Sequence, residues 1–406
     1  MSVPLDRLYN FLHDVCNHRD LIIYRFFPHG SRKITDLKRL NAYGQVSEKT
    51  KKFMIFYDQE PLNFDLYTDV KMVDEILENP TEYSELSKEV LTPELYKKYI
   101  NFLQRVIVPC NIKLIISSYM HSVPVILVHS EQRSKNLQRY QEHEFITVYW
   151  WCHAMIARDW FRYAKIDPLL NTKQIKKEFL IYNRAWSGTR EYRLKFAELL
   201  LENNLTNYCH MGFNSDDNGD YRNHQFVNHE FQITNNNLEN YFHLNTTSSA
   251  ASANYVATDY QSTNVEVVLE TLFDDDRIQL TEKILRPIAC GQPFILAATH
   301  GSLEYLRSYG FETFAPWIDE TYDTIEDPAQ RLETIVQEMR RIADLSEDKK
   351  TLLYAGLKDI TIRNKQLFFS DQWQQSIIDE FKQNFEQAFQ DLDQRLKEKF
   401  KKFNLF

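Results

Sequence analysis

The chain has 406 residues, 43% hydrophobic and 14% aromatic, with 48 Lys and Arg against 57 Asp and Glu and a formal net charge of −9. That length and apolar content suffice for a large core, point to two domains and exclude disorder, while the acidic balance excludes a general attraction to nucleic acid and leaves any DNA contact to a local basic face. No basic-then-apolar leader opens the sequence, no apolar run reaches the roughly 18 residues of a membrane span, and the five scattered cysteines form no CxxC, so a cytoplasmic protein with reduced thiols and no zinc knuckle is expected.

Residues 1–165 read as a first domain. Apolar residues at helical spacing from Val3 to Cys16 predict a helix, and LIIYRFF (Leu21 to Phe27) predicts a strand. Between Arg25 and Arg39, Arg25, His29, Arg32 and Lys33 alternate with Phe26, Phe27 and Pro28, a basic and aromatic patch suited to a nucleic-acid backbone, although a solvated loop has the same composition. Phe53 to Tyr57 is fully apolar, as in an interior parallel strand, and ends in Asp58 and Glu60. Carboxylates just past such a strand face the crevice where open α/β sheets bind ligands, so either could be a general base; Asp58 could equally cap the next turn. Thr92 and Pro93 start a helix to about Val108, and strands follow at Lys113 to Ser117, Val123 to His129 and Phe145 to Trp151, with a polar helix from Ser130. In CHAMIARDWFRYA, His153 could line an acceptor pocket as an alternative base, but aromatic residues at this density favour a domain interface.

Residues 166–177 form the expected linker, and a strand at Glu178 to Tyr182 opens the second domain. Asn183, Arg184, Arg190 and Arg193 then surround a Ser-Gly turn entering a helix, an arrangement that suits a diphosphate because guanidinium groups pair with phosphate oxygens in bidentate fashion. The stretch from Asn214 to Tyr260 is loop-like, and its Asp216, Asn218 and Asp220 miss the EF-hand pattern. Asp274 to Asp276 could be an Asp-x-Asp metal site or a solvated turn. NVEVVLET, ending in Glu270 and Thr271, is a buried strand feeding a helix at Thr281 and a second apolar run beyond Gly291. That helix start would present unpaired N–H groups together with Lys283 and Arg286 to a diphosphate, while Glu270 or Glu282 would accept bonds from sugar or ribose hydroxyls. A helix from Ser302, a strand at FETF, helices from Pro328 and a long amphipathic helix from Trp373 to Phe400 complete the chain; Asp319, Glu320 and Asp323 read as caps.

VEVVLET, TEKILRPIACGQPFIL, YLRSYGFETF and IDETYD, between Val265 and Asp323, resemble the nucleotide-sugar half of glycosyltransferases encoded by tailed bacteriophages and other viruses. More distantly, they are similar to the donor-binding segment of the alpha-1,3-fucosyltransferases, where a Ser/Thr-Glu-Lys helix meets the donor diphosphate. FLIYNRAWSGTREYR, FMIFYDQEP and YWWCHAMIARDWFRYA belong to the same phage-type pattern, so the resemblance touches most of the chain. It implies two Rossmann-like α/β domains facing a central cleft, the GT-B arrangement: 1–165 on the acceptor side, the linker at 166–177, 178–370 holding a nucleotide-sugar, and 371–406 as a helix packing back across both. It further implies transfer of a pentose or hexose, from a UDP-sugar by preference and without a metal, to 5-hydroxymethylcytosine in double-stranded DNA. The alternative acceptors are a glycan, a lipid-linked sugar or a protein, and the alternative activity is nucleotide-sugar binding without catalysis. Absence of GxGxxG, a Walker loop, GxSxG and HExxH leaves dehydrogenase, NTPase, serine hydrolase and zincin readings without support.

Overall fold

A computed structural model of the chain describes residues 6–16, 19, 21–26, 38–39, 52–57, 61, 124–142, 144–184, 191–214, 231–235, 237–242 and 253–402. The architecture is α/β with two parallel sheets and long C-terminal helices. In the first sheet α1 (Asp6–Cys16) precedes β1 (Ile22–Phe26), β2 (Lys38–Arg39), β3 (Phe53–Tyr57), β4 (Val125–His129) and β5 (Phe145–Tyr149), arranged β2-β1-β3-β4-β5. Only the two-residue edge strand β2 runs antiparallel, pairing Arg25 with Lys38. β4 is VILVH and buried throughout, as a strand covered on both faces must be. α1 buries Leu8, Leu12 and Cys16, the i, i+4 stripe of a helix laid on a core.

α2 (Lys135–Glu142) separates β4 from β5, and α3 (Cys152–Trp160) follows β5. Two short 3-10 turns, Arg162–Lys165 and Pro168–Asn171, carry the chain into the second sheet. The expected linker is pinned there: Lys173 Nζ donates to the Tyr260 and Thr263 carbonyls and to Gln292 Oε1 at 2.7–2.8 Å.

The second sheet contains β6 (Lys177–Arg184), β7 (Cys209–Asn214), β8 (Thr263–Leu269) and β9 (Phe294–Ala297), all parallel in the order β7-β6-β8-β9. α4 (Glu191–Glu202) connects β6 to β7, α5 (Ala257–Ser262) precedes β8, and α6 (Glu282–Cys290) connects β8 to β9. α6 begins and ends where its sequence signals lie, with Thr281 as N-cap and Gly291 closing it at φ 73°, a conformation glycine adopts at little cost. β6 leads outward to β7 while β8 lies on its other side, so strand order reverses between β6 and β8. Such a reversal opens a crevice at the carboxyl ends of the two strands.

α7 (Ser302–Ser308), α8 (Pro328–Ala343), α9 (Glu347–Phe368) and α10 (Asp371–Lys402) complete the chain. FETF is not a strand: Phe311 and Phe314 are buried from an extended segment whose Phe314 N–H bonds to Glu320 Oε1 instead of to a neighbouring strand. Two of the three expected caps are present, since Asp323 accepts from Leu303 N at the start of α7 and Asp319 from Thr321 N, whereas Glu320 makes no cap bond and accepts from Thr313 Oγ1 and Phe314 N instead. α10 returns to the first sheet, stacking Phe381 on Trp150 at 4.5 Å, donating from Asn384 to the Tyr149 carbonyl at 3.0 Å and pairing Asp393 with Lys52. The four described cysteines are free and buried, and among the described residues no helix is long and apolar enough to cross a membrane.

Candidate functional site

The segment after β8 docks against the segments after β4 and β5. Gln132 and Ile278 exchange both backbone bonds at 2.9 and 3.0 Å, Gln279 Nε2 donates to Ser130 Oγ, and Trp151 Nε1 donates to the Leu280 carbonyl at 2.8 Å. Beneath them Arg277, 3% exposed, holds Asp275 through Nη2 at 2.6 Å and Glu131 through Nη1 at 3.1 Å. Asp275 is thereby a structural anion and Asp276 meets Lys135 at 2.9 Å; among the described residues no group of three or more His, Cys, Asp and Glu is placed to hold a metal ion.

Just beyond this contact stands the N-terminus of α6. Glu270, with no exposed surface, accepts from Thr281 N at 3.0 Å and from Thr281 Oγ1 at 2.7 Å. Its carboxylate therefore anchors the helix start, where a role toward sugar hydroxyls was expected. Lys283 Nζ donates to Thr281 Oγ1 at 3.0 Å and Thr271 Oγ1 at 3.3 Å, and its side chain keeps 19% of its surface open. Thr271 is a contact that sequence reasoning missed, although its hydroxyl closes the strand-end run NVEVVLET.

Glu282 points to the other half. Its Oε2 lies 3.4 Å from His153 Nδ1 and its Oε1 3.5 Å from Lys283 Nζ. Burial alone would raise the carboxyl pKa, but the Lys283 ammonium, His153 and the Glu282 backbone N–H outweigh it and bring the value to about 2. His153, expected toward an acceptor or DNA, is 1% exposed and cannot reach a duplex from there. The neighbouring His129 is also buried, which pushes it down to about 3, and in the neutral ring Nδ1 accepts from Glu131 N at 3.2 Å.

Two arginines expected at the diphosphate are committed elsewhere. Arg193, 2% exposed, donates to the carbonyls of Arg184, Leu269 and Glu270 at 2.6–2.8 Å and so ties the ends of β6 and β8 together. Arg286 pairs with Glu266 at 2.6 Å, donates to Tyr260 Oη at 3.0 Å and lies 4.3 Å over the Tyr182 ring. Asn183 is fully buried with Nδ2 on the Arg193 carbonyl at 3.0 Å; its Oδ1 has no hydrogen-bond partner among the described residues.

Arg184 ends β6 two residues beyond Tyr182, so strand alternation places it on the α6 face of the sheet. Arg184 and Lys283 thus mark the crevice between β6 and β8. Arg190, His29, Arg32, Lys33, Asp58 and Glu60 lie outside the described residues, as do the expected helix to Val108 and strand at Lys113 to Ser117; Arg25 is described only as a β1 residue, paired with Phe56 and Lys38. Compared with protein-family models, with curated proteins and with solved structures, the chain matches none.

Proposed function

We propose that the protein is a two-domain glycosyltransferase of the GT-B kind that moves a pentose or hexose from a nucleoside-diphosphate sugar to an acceptor hydroxyl. One observation carries the reading. Arg184 and Lys283 both stand at the carboxyl ends of adjacent parallel strands where strand order reverses, on the face that carries the N-terminus of α6.

A departing nucleoside diphosphate gains negative charge, and a fixed ammonium, a guanidinium and the positive end of the α6 dipole are suited to stabilise it. Lys283 would exchange its two threonine hydroxyls for phosphate oxygens. The helix start also carries Glu270 and Glu282 against the one lysine, which makes Arg184, and Arg190 a few residues further along the sequence, necessary for a favourable charge balance. Acceptor attack forms a bond from its oxygen to the anomeric carbon as the bond to the diphosphate breaks. If the anomeric configuration inverts, the acceptor proton passes to a carboxylate, for which Asp58 or Glu60, following β3 in the sequence, is suited. The acceptor read from the resemblance is 5-hydroxymethylcytosine in double-stranded DNA and the donor a UDP-sugar.

The test is a donor screen with UDP-, GDP- and ADP-sugars and hydroxymethylcytosine-containing DNA, followed by digestion and mass measurement of the nucleosides. A gain of one hexose or pentose on the modified cytosine is expected with one donor. Diphosphate release only on adding a glycan or a lipid-linked sugar overturns DNA as acceptor and keeps the transferase. Binding of a nucleotide-sugar without turnover on any acceptor overturns catalysis.

A further inference from the structure

Residues 162–176 run over the surface between the two sheets, and they carry four of the nine large apolar side chains left in water among the described residues. Tyr163 is 60% exposed, Ile166 77%, Leu169 44% and Ile175 45%, and Val256, just before α5, adds another at 50%. α5 packs against the turn Pro168–Asn171. These side chains are not exposed through a loose backbone. Asp167 accepts from Leu169 N and Tyr255 Oη at 3.0 Å, Gln174 N and Lys176 N bond to the Gln261 and Ser262 carbonyls at 2.9 Å, and Lys173 is anchored as described above. The ridge is held from beneath with its aliphatic tips turned outward.

Its charge opposes that of the chain. Within residues 162–176, Arg162, Lys165, Lys173 and Lys176 stand against a single acid, Asp167, on a protein whose formal charge is −9; Arg162 also meets Asp159, just before the ridge, at 3.6 Å. Arg162, Lys165 and Lys176 are exposed beside the aliphatic tips. A groove of about 410 Å³ opens at Arg162 and Lys165 and runs inward over Phe11, Met155, Ile156 and Ile378.

Cations alone would suit any polyanion, but a phosphodiester backbone gains nothing from Ile166, Leu169 and Ile175. Aliphatic tips ringed by lysine and arginine match the boundary between anionic headgroups and acyl chains, where each element contributes: apolar burial from the tips and roughly 1 kcal/mol for each cation near the surface. We infer that the 162–176 ridge is a docking surface for an anionic phospholipid bilayer. The inference is independent of the transferase reading.

The experiment is co-sedimentation of the full chain with vesicles of phosphatidylcholine alone and of phosphatidylcholine with about a third phosphatidylserine. Binding is expected only to the anionic vesicles, to weaken with salt, and to fall about tenfold or more in the double variant Ile166→Asp, Leu169→Asp. Because both side chains are exposed, that variant should melt with the parent and keep its affinity for UDP, which separates loss of docking from loss of the nucleotide site. Lys165→Glu with Lys176→Glu provides a second variant that leaves the apolar tips intact, and it too should lose binding. No binding to anionic vesicles at low salt overturns the inference, as does equal binding by the double aspartate variant. Full competition by duplex DNA without sensitivity to Ile166 and Leu169 would identify a polyanion site instead.

Discussion

Arg286 and Glu266 meet at 2.6 Å between α6 and the second sheet, Arg286 5% exposed and Glu266 with no exposed surface. Burial opposes the guanidinium charge, but Glu266 and the Tyr260 and Tyr182 hydroxyls more than offset it and hold its pKa well above the ordinary arginine value. Arg286→Met would strand a buried carboxylate, at a cost of about 3–5 kcal/mol. In urea unfolding the double variant with Glu266→Gln should lose clearly less than the sum of the single losses. Additive losses would show that the two side chains do not act as a pair.

Lys283→Ala removes an ammonium from the rim of the crevice and also takes it from the buried Glu282 and Glu270, 3.5 and 3.9 Å away. UDP affinity, measured by calorimetry on the folded variant, should fall about tenfold or more, with a stability loss of about 1–3 kcal/mol. Unchanged affinity for UDP, GDP and ADP alike would remove Lys283 from the nucleotide site.

Glu282 couples the fold to pH. Its folded-state pKa of about 2 is depressed, so the stabilisation it contributes is present above about pH 4.5 and is lost as pH falls toward 2, up to about 3 kcal/mol in all. Glu282→Gln should flatten stability against pH within that window. Parallel curves for the variant and the parent would assign the acid sensitivity to other carboxylates.

Arg277→Ala would leave Glu131 and Asp275 facing each other without their shared cation. A loss of about 3–5 kcal/mol is expected, together with faster hydrogen exchange at the Gln132 and Ile278 amides, which hold the halves together. If those amides exchange as slowly in the variant as in the parent, the backbone bridge stands without the ion pair.

Much of the scaffold is readable locally. FMIFY, the apolar part of VPVILVH and FLIY each form a parallel strand because a continuous apolar run has no solvent face to offer. Thr281 and Gly291 bound α6 by capping chemistry that needs no distant partner. FETF failed because Phe311 and Phe314 satisfy a packing need and not a strand period. The arginines were harder. Arg193 and Arg286 look like phosphate ligands until three strand-end carbonyls and Glu266 come into view. One sign of this was present: Glu266 is a lone carboxylate within NVEVVL, and an acid inside a buried strand requires a cation. No equivalent sign marks His153, whose neighbour Glu282 lies far along the chain.

The return of α10 to Tyr149 and Trp150 also sets an order of assembly. The strands of the first sheet are translated before the helix that covers Trp150, which begins only at Asp371. During synthesis, at about 5–20 residues per second, the nascent N-terminal half must wait many seconds with that aromatic face uncovered. The sheet that is translated first therefore cannot be covered until α10 has been made, and a chain terminated before Asp371 would release it with Trp150 bare.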